Sequence, residues 1–244
     1  MDKLRKAFFH GGSSLLSKYL INKFLNDYDE FYIFCRDKLK TEKIIEIEKL
    51  PDNKRFILFE NDLNDLDKSL EDIKKLPNDF KGIFWVTGFT GNPDLEYNEY
   101  KHAITNISVN FLNPTICISE LSKKMTYSKN SFICVITSVA GLRGRGKRMY
   151  YSASKSGLIN FLSGLRQKLN KKIMVHTIIP GYISTNSFSE NGPKFLICSP
   201  EKSAEIIYKG IKNKKEIIYV TNVWKIIMFF LSLFPEKLFK KFSF

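Results

Sequence analysis

Seven short apolar runs, separated by longer stretches with helical periodicity, constrain this chain more than any other feature. The runs are KAFFH (6–10), EFYIFC (30–35), RFILFE (55–60), GIFWVT (82–87), SFICVIT (131–137), IMVHTII (173–179) and EIIYV (216–220). Runs of this kind suit strands buried on both faces. Helical patterns lie between them, clearest at 14–25, 64–76, 103–124, 151–169 and 200–213. The alternation predicts a doubly wound, Rossmann-like α/β fold: about seven parallel strands, helices on both faces, right-handed crossovers, and ligands at the strand C-terminal ends. Within 244 residues there is no internal repeat and no low-complexity linker, so one domain is expected over 1–221, followed by an apolar-basic tail over 222–244.

The tail breaks the alternation. VWKIIMFFLSLF (223–234) is apolar nearly all round, and PEKLFKKFSF follows it. As a helix, residues 224–234 span roughly 16 Å against about 30 Å of bilayer hydrocarbon, too short to cross. Three roles stay open. The segment can lie in a membrane interface with Trp, Phe and Lys as anchors, form a subunit interface, or close over a substrate pocket.

Charge narrows the partners only in sign. Lys and Arg number 39 against 25 Asp and Glu, a net charge of +14. That favours nucleic acid, anionic membrane or phosphorylated substrate, and a solvated lysine-rich surface produces the same number. No nucleic-acid recognition motif accompanies it, so no nucleic-acid partner is expected. Cys35, Cys117, Cys134 and Cys198 lie far apart without a CxxC pair, and there are three His. Neither a disulfide framework nor a metal site is indicated. MDKLRKAFF reaches Gly11 without an apolar stretch long enough for a signal peptide, so a cytoplasmic, reducing setting is expected, with peripheral membrane contact through the tail.

The ends of the first four runs share one chemistry. HGGSSLLSKYL (10–20) is a small-residue turn entering a helix, which sets backbone N–H groups and the positive end of the helix dipole against a phosphate. Its candidates are Gly11, Ser13, Ser14 and Leu16; Leu15 and Ser17 stand where a Gly-x-x-x-Gly-x-Gly turn has glycines. The second run ends in CRD, placing Arg36 where dinucleotide sites meet the adenosine ribose. An acid there favours NAD, and an Arg favours the 2′-phosphate of NADP. Asp62, followed by Leu63, can take an adenine amino group, and Gly88 in VTGFTG lets a cofactor lie against the backbone.

Tyr-x-x-x-Lys puts both side chains on one helix face, and a nearby ammonium is expected to lower the tyrosine pKa from about 10. The spacing occurs at Tyr19/Lys23, Tyr97/Lys101, Tyr151/Lys155 and Tyr208/Lys212, so position must decide. Only Tyr151/Lys155 follows a buried run ending in a hydroxyl, Ser138, able to hydrogen-bond a substrate carbonyl. Asn110 in NISVNFLNP is a candidate for ordering a relay water. IIPGYIST (178–185) offers Pro180, Gly181, Ile183 and Thr185 to cover the nicotinamide side.

In this order the residues resemble the short-chain dehydrogenases/reductases, and the resemblance covers essentially the whole chain. It implies an NADPH-dependent oxidoreductase with Tyr151 as general acid/base. Lys155 would tune Tyr151 and bind the nicotinamide ribose, Ser138 would polarise the carbonyl, and Asn110 would hold the relay water. It also implies a homo-oligomer. TGFTG departs from the family's usual Asn-Ala-Gly run. A narrower similarity joins SVAGLRGRGKR, YSASK, FLSGLRQKL and the tail to reductases of polyprenyl-phosphate-linked keto-sugars, the decaprenylphosphoryl-2-keto-erythro-pentose reductase subgroup, which works after a flavin-dependent oxidase in cell-envelope glycan synthesis. That similarity implies a lipid-phosphate substrate with Arg143, Arg145 and Arg148 as phosphate ligands. A soluble carbonyl, an acyl-chain ketone, or non-catalytic NADPH sensing or scaffolding are the alternatives.

Overall fold

Apolar strands cannot leave their backbone groups unpaired, and parallel pairing with helical crossovers satisfies them here. The computed structural model describes residues 4–128, 130–170, 172–184 and 194–241. The strands are β1 (Lys6–His10), β2 (Glu30–Cys35), β3 (Arg55–Glu60), β4 (Phe80–Trp85), β5 (Phe132–Ile136), β6 (Met174–Ile179), the short β7 (Tyr182–Ile183) and β8 (Ile197–Cys198), and β9 (Ile217–Tyr219). Seven of them form one parallel sheet in the order β3-β2-β1-β4-β5-β6-β9, while β7 and β8 pair separately. The order reverses between β1 and β4, which opens a crevice at their C-terminal ends.

The helices are α1 (Leu15–Phe24), α2 (Lys38–Ile45), α3 (Leu66–Lys75), α4 (Tyr100–Ile107), α5 (Asn113–Lys123), α6 (Met149–Lys168), α7 (Pro200–Lys212), α8 (Asn222–Leu233) and α9 (Glu236–Phe239). Alternate strand residues feed two cores. On one face Phe9, Ile33 and Phe84 meet Leu20 and Phe24 of α1 and Ile207 of α7. On the other, Phe8, Ile83 and Val135 meet Ile118 and Leu121 of α5 and Leu162 of α6.

Two departures from the sequence reading bear on the site. The pattern over 103–124 is not one α-helix: α4 and α5 are joined by a wide π turn over Ser108–Leu112. Pro114 has no N–H for an α-type bond to the carbonyl of Asn110, and the helix opens there. The second lies in the tail, which is apolar on both faces as expected but is packed against the site on one of them. α8 turns Trp224, Met228 and Leu231 inward onto Val139 and Ile179, so Trp224 is a packing residue rather than a lipid anchor. No helix among the described residues is long and apolar enough to cross a membrane.

Candidate active site

The glycine turn after β1 closes without the expected second and third glycines. Gly11 adopts φ +97°, and a Cβ there would sit 2.7 Å from the Thr87 hydroxyl. Ser17, in place of a glycine, is buried and donates to the Gly11 carbonyl at 2.7 Å. Ser14 caps α1, its Oγ accepting from Leu16 N at 3.2 Å. A Cβ on Gly12 would run into Ile33 and Thr41, so the turn is pressed against β2 and the start of the next helix.

One cleft is lined by Gly11, Ser13, Arg36, Asp62, Leu63 and Gly88. Arg36 and Lys40 are both exposed at its outer end. His10 lies beneath it, stacked on Trp85 at 4.2 Å, with Nδ1 hydrogen-bonded to Thr87 Oγ1. Burial lowers its pKa to about 3, against an opposing hydrogen bond with Asn61, so the imidazole is neutral. Nothing in the sequence marks His10, because a lone His inside an apolar run carries no motif.

A second cleft shares Ser14, Val86, Thr87 and Gly88 with the first and is lined beyond them by Ser138, Tyr151 and Lys155. Leu16, Pro180, Gly181 and Ile183 complete it on the predicted side; Thr185 lies outside the described residues. Ser138 ends the segment after β5, and α6 brings Tyr151 and Lys155 to the same edge. The Lys155 amine is buried, 5.9 Å from the Tyr151 ring centre and 3.5 Å from the Ile136 carbonyl. It lies so near Gly88 that a Cβ there would be 3.2 Å from Nζ. Of the four Tyr-x-x-x-Lys pairs, this is the pair that lines the cleft with Ser138.

Electrostatics correct one expectation. The Tyr151 pKa is raised rather than lowered, and burial is the main cause. A hydrogen bond from Ser138 and the charges of Arg145 and Arg148 oppose that rise, and the Glu96 carboxylate adds to it. Lys155 is itself lowered to about 8 by burial. Arg145 and Arg148, in the loop between Ser138 and Tyr151, thus give cationic help to a phenolate.

Asn110 sits in the π turn and clamps Phe89. Its Nδ2 donates to the Phe89 carbonyl at 2.7 Å and its Oδ1 accepts from Phe89 N at 2.9 Å. Both ends of its amide are thus committed to fixing the loop after β4, the floor shared by the two clefts.

The three arginines divide. Arg143 leaves the cleft for the tail: Nη2 donates to the Phe234 carbonyl at 3.1 Å and to Glu236 at 2.6 Å, and the guanidinium lies 4.3 Å over the Phe239 ring. Arg148 donates to the carbonyls of Thr90 and Gly91 and lies 3.7 Å from Glu96. Arg145 lines the cleft with Tyr151, and its Nε is buried without a partner among the described residues.

Two further contributors stand outside the predicted site residues, one of them in the tail that was expected to be able to close over a pocket. Glu96, 2% exposed, accepts at the first turn of α6 from Tyr150 N at 3.0 Å and Tyr151 N at 3.5 Å. Trp224 walls the cleft, donating to the Leu196 carbonyl at 3.0 Å while its indole fills the space a Cβ on Gly181 would need.

A Ser–Tyr–Lys set at the C-terminal edge of a doubly wound sheet, in a cleft continuous with the one at the switch point, defines a Rossmann-like protein of the dehydrogenase type. The short chain dehydrogenase family matches residues 7–194. The chain belongs to that family. A relative from Synechocystis sp., named 3-oxoacyl-[acyl-carrier-protein] reductase, is 35% identical over 81 residues, 33% of each chain. One of the same name from Bos taurus is 27% identical over 134 residues, 54% of this chain and 56% of the relative. The chain thus spans between a third and just over half the length of these two curated relatives. The crystal structure of a short chain dehydrogenase from Burkholderia cenocepacia in complex with NADP matches with a TM-score of 0.78 at 18% identity, over 98% of this chain and 97% of that one.

Proposed function

We propose that this chain is an NADPH-dependent reductase that converts a carbonyl to an alcohol, with Tyr151 as the proton donor. The observation that carries the reading is the convergence of Ser138, Tyr151 and Lys155 on a cleft continuous with the one lined by Gly11, Arg36 and Asp62. The residues fit a dinucleotide phosphate. The glycine turn leaves no room for side chains, exposed Arg36 after β2 and Lys40 in α2 suit a 2′-phosphate, and the buried Lys155 amine lines the adjoining cleft. When bound, NADPH supplies the hydride.

The chain's own residues manage the proton and the position. Ser138 holds the substrate carbonyl oxygen by a hydrogen bond. The Tyr151 hydroxyl gives its proton to that oxygen as negative charge develops there. Arg145 and Arg148 stabilise the phenolate that remains. Lys155, lowered to about 8, is suited to bind the ribose and return a proton toward Tyr151. Asn110 keeps the loop at Phe89 in place.

For substrate, the reading is a polyprenyl-phosphate-linked or other phosphorylated keto-sugar. It would be taken at the cytoplasmic membrane face after a separate flavin oxidase, with peripheral contact through residues 222–244. Arg145, aimed into the cleft and without a partner for Nε, supports an anionic group on the substrate. Arg143 and Arg148 are engaged elsewhere, and the phosphate role falls to Arg145. A second reading, an acyl-chain ketone, is favoured by the relatives named 3-oxoacyl-[acyl-carrier-protein] reductase. NADPH oxidation with polyprenyl-phosphate keto-sugars, soluble phosphorylated ketoses and 3-oxoacyl thioesters, with and without a flavin oxidase, tests both. Turnover confined to the thioesters would replace the sugar reading.

A further inference from the structure

The outward face of α8 has no role in the chemistry above, yet its sequence and placement are specific. On its inner side Trp224 walls the active-site cleft, set edge-on to Tyr182 with ring centres 5.5 Å apart, and Met228 packs on Val139 and Ile179. On its outer side Ile226, Phe229, Phe230 and Leu233 are 59%, 61%, 62% and 65% exposed. Large apolar side chains this exposed and this contiguous on one helix face mark an interaction surface. Lys225 lies on the same helix and Lys237, Lys240 and Lys241 follow it within eight residues of its end, and all four are exposed. The sole acid in residues 222–241 is Glu236, and Arg143 takes it up at 2.6 Å.

Charge selects the occupant. A second copy seated face to face would bring these lysines against their own equivalents. An anionic bilayer presents the opposite sign together with an apolar layer for the four side chains. Twelve residues of helix can lie along such an interface and cannot cross it. Arg143 ties the segment beyond α8 to the loop that precedes α6, through Phe234, Glu236 and Phe239. The docking face is therefore held in fixed relation to the cleft.

We infer that the outward face of α8, with its flanking lysines, is a docking surface for an anionic bilayer, latched by Arg143 so that docking sets the mouth of the cleft at the lipid interface. The purpose of the docking rests on the lipid-linked reading of the substrate; its existence does not. The test is flotation of the full-length protein with vesicles of phosphatidylcholine alone or mixed with phosphatidylglycerol, at low and high salt. The expected result is flotation with phosphatidylglycerol vesicles that salt weakens. It should fall at least about tenfold when Ile226, Phe229, Phe230 and Leu233 are all changed to Ser, and again in Lys225→Glu/Lys237→Glu/Lys240→Glu. Unchanged flotation in the Ser variant, or none in the unmodified protein, overturns the inference. So does a dimer, seen by light scattering, that the Ser variant converts to monomer without any vesicle binding. NADPH-dependent reduction of a soluble carbonyl without vesicles is measured in parallel. Its loss in the unmodified protein would strike the catalytic reading and leave the docking result standing.

Discussion

The buried carboxylate of Glu96 accepts a hydrogen bond from the backbone N–H of Tyr150 at 3.0 Å, at the first turn of the helix that carries Tyr151. An acid at a helix N-terminus satisfies donors that the helix itself leaves unpaired and complements its dipole. Here the same group also raises the Tyr151 pKa through its charge and lies 3.7 Å from Arg148. One residue from the loop after β4 thus both holds the helix start at Tyr151 and opposes ionisation of that side chain.

The first prediction follows from that double role. Tyr151 must carry its proton to donate it, so reduction is lost as pH rises through its pKa. Glu96→Gln keeps the shape and removes a negative charge that raises that pKa, so the alkaline limb of the rate profile should move to lower pH. Arg145→Ala removes a cation that lowers the pKa, and the limb should move to higher pH. Ser138 and Arg148 face Tyr151 too, and Lys155, lowered to about 8, shares its helix face, so the two variants are read against the unmodified profile. Shifts in the same direction would contradict the assignment.

Lys155 should stabilise function at the expense of the fold. Burial lowers its pKa from 10.5 to about 8, which corresponds to a cost of roughly 3 kcal/mol for holding the charged form. That cost is complete below pH 8 and fades as pH rises toward 10.5, where the unfolded chain also loses the proton. Lys155→Met is therefore expected to unfold at a higher temperature than the unmodified protein at pH 7, with the difference shrinking by pH 10, while turnover disappears. Thermal melts at the two pH values decide it, and a lower Tm at pH 7 would refute the account.

Arg143 and Arg145 are two residues apart and predicted to fail differently. Arg145→Ala should raise KM for a phosphorylated substrate by roughly tenfold to a hundredfold, in keeping with loss of a charged hydrogen bond, and leave KM for a neutral carbonyl little changed. Arg143→Ala should leave both KM values near the original and speed hydrogen exchange over residues 222–239, because it releases Phe234, Glu236 and Phe239. Steady-state kinetics with a paired set of substrates, and exchange measured by mass spectrometry, separate the two.

The strand ladder was legible because each strand is an uninterrupted apolar run. β2 and β3 have the predicted bounds, 30–35 and 55–60. β4 starts two residues earlier than its pattern, since Phe80 pairs with β1 while Val86 and Thr87 belong to the cleft. α2 was not foreseen: of KLKTEKII only Thr41 and Ile45 are buried, too few for a periodic signal. The break in 103–124 depends on Pro114 and on the clamp between Asn110 and Phe89, a contact over 21 residues.

At the site, Ser138, Tyr151 and Lys155 were readable because a strand and a helix deliver them to one edge. Glu96 was not, because a lone acid in NPDLEYNEY looks like a loop residue until α6 packs against it. Arg143 looked like a substrate ligand because its partners, Phe234 and Glu236, lie 91 and 93 residues away.

Cofactor preference is a further check. Arg36 and Lys40 stand at the outer end of the nucleotide cleft, so Arg36→Asp should weaken NADPH binding by at least about tenfold and leave NADH nearly unaffected. Preference for NADH in the unmodified protein would contradict the reading of β2's end.

The central claim is that Tyr151 is the proton donor of a reductase. Its most direct test is Tyr151→Phe, assayed side by side for NADPH binding by fluorescence titration and for NADPH oxidation with a carbonyl substrate. Binding within about twofold of the original and a rate lower by about 10² to 10⁴ is the predicted result. Unchanged turnover, or an unmodified protein that binds NADPH and reduces no carbonyl across the panel, would contradict it.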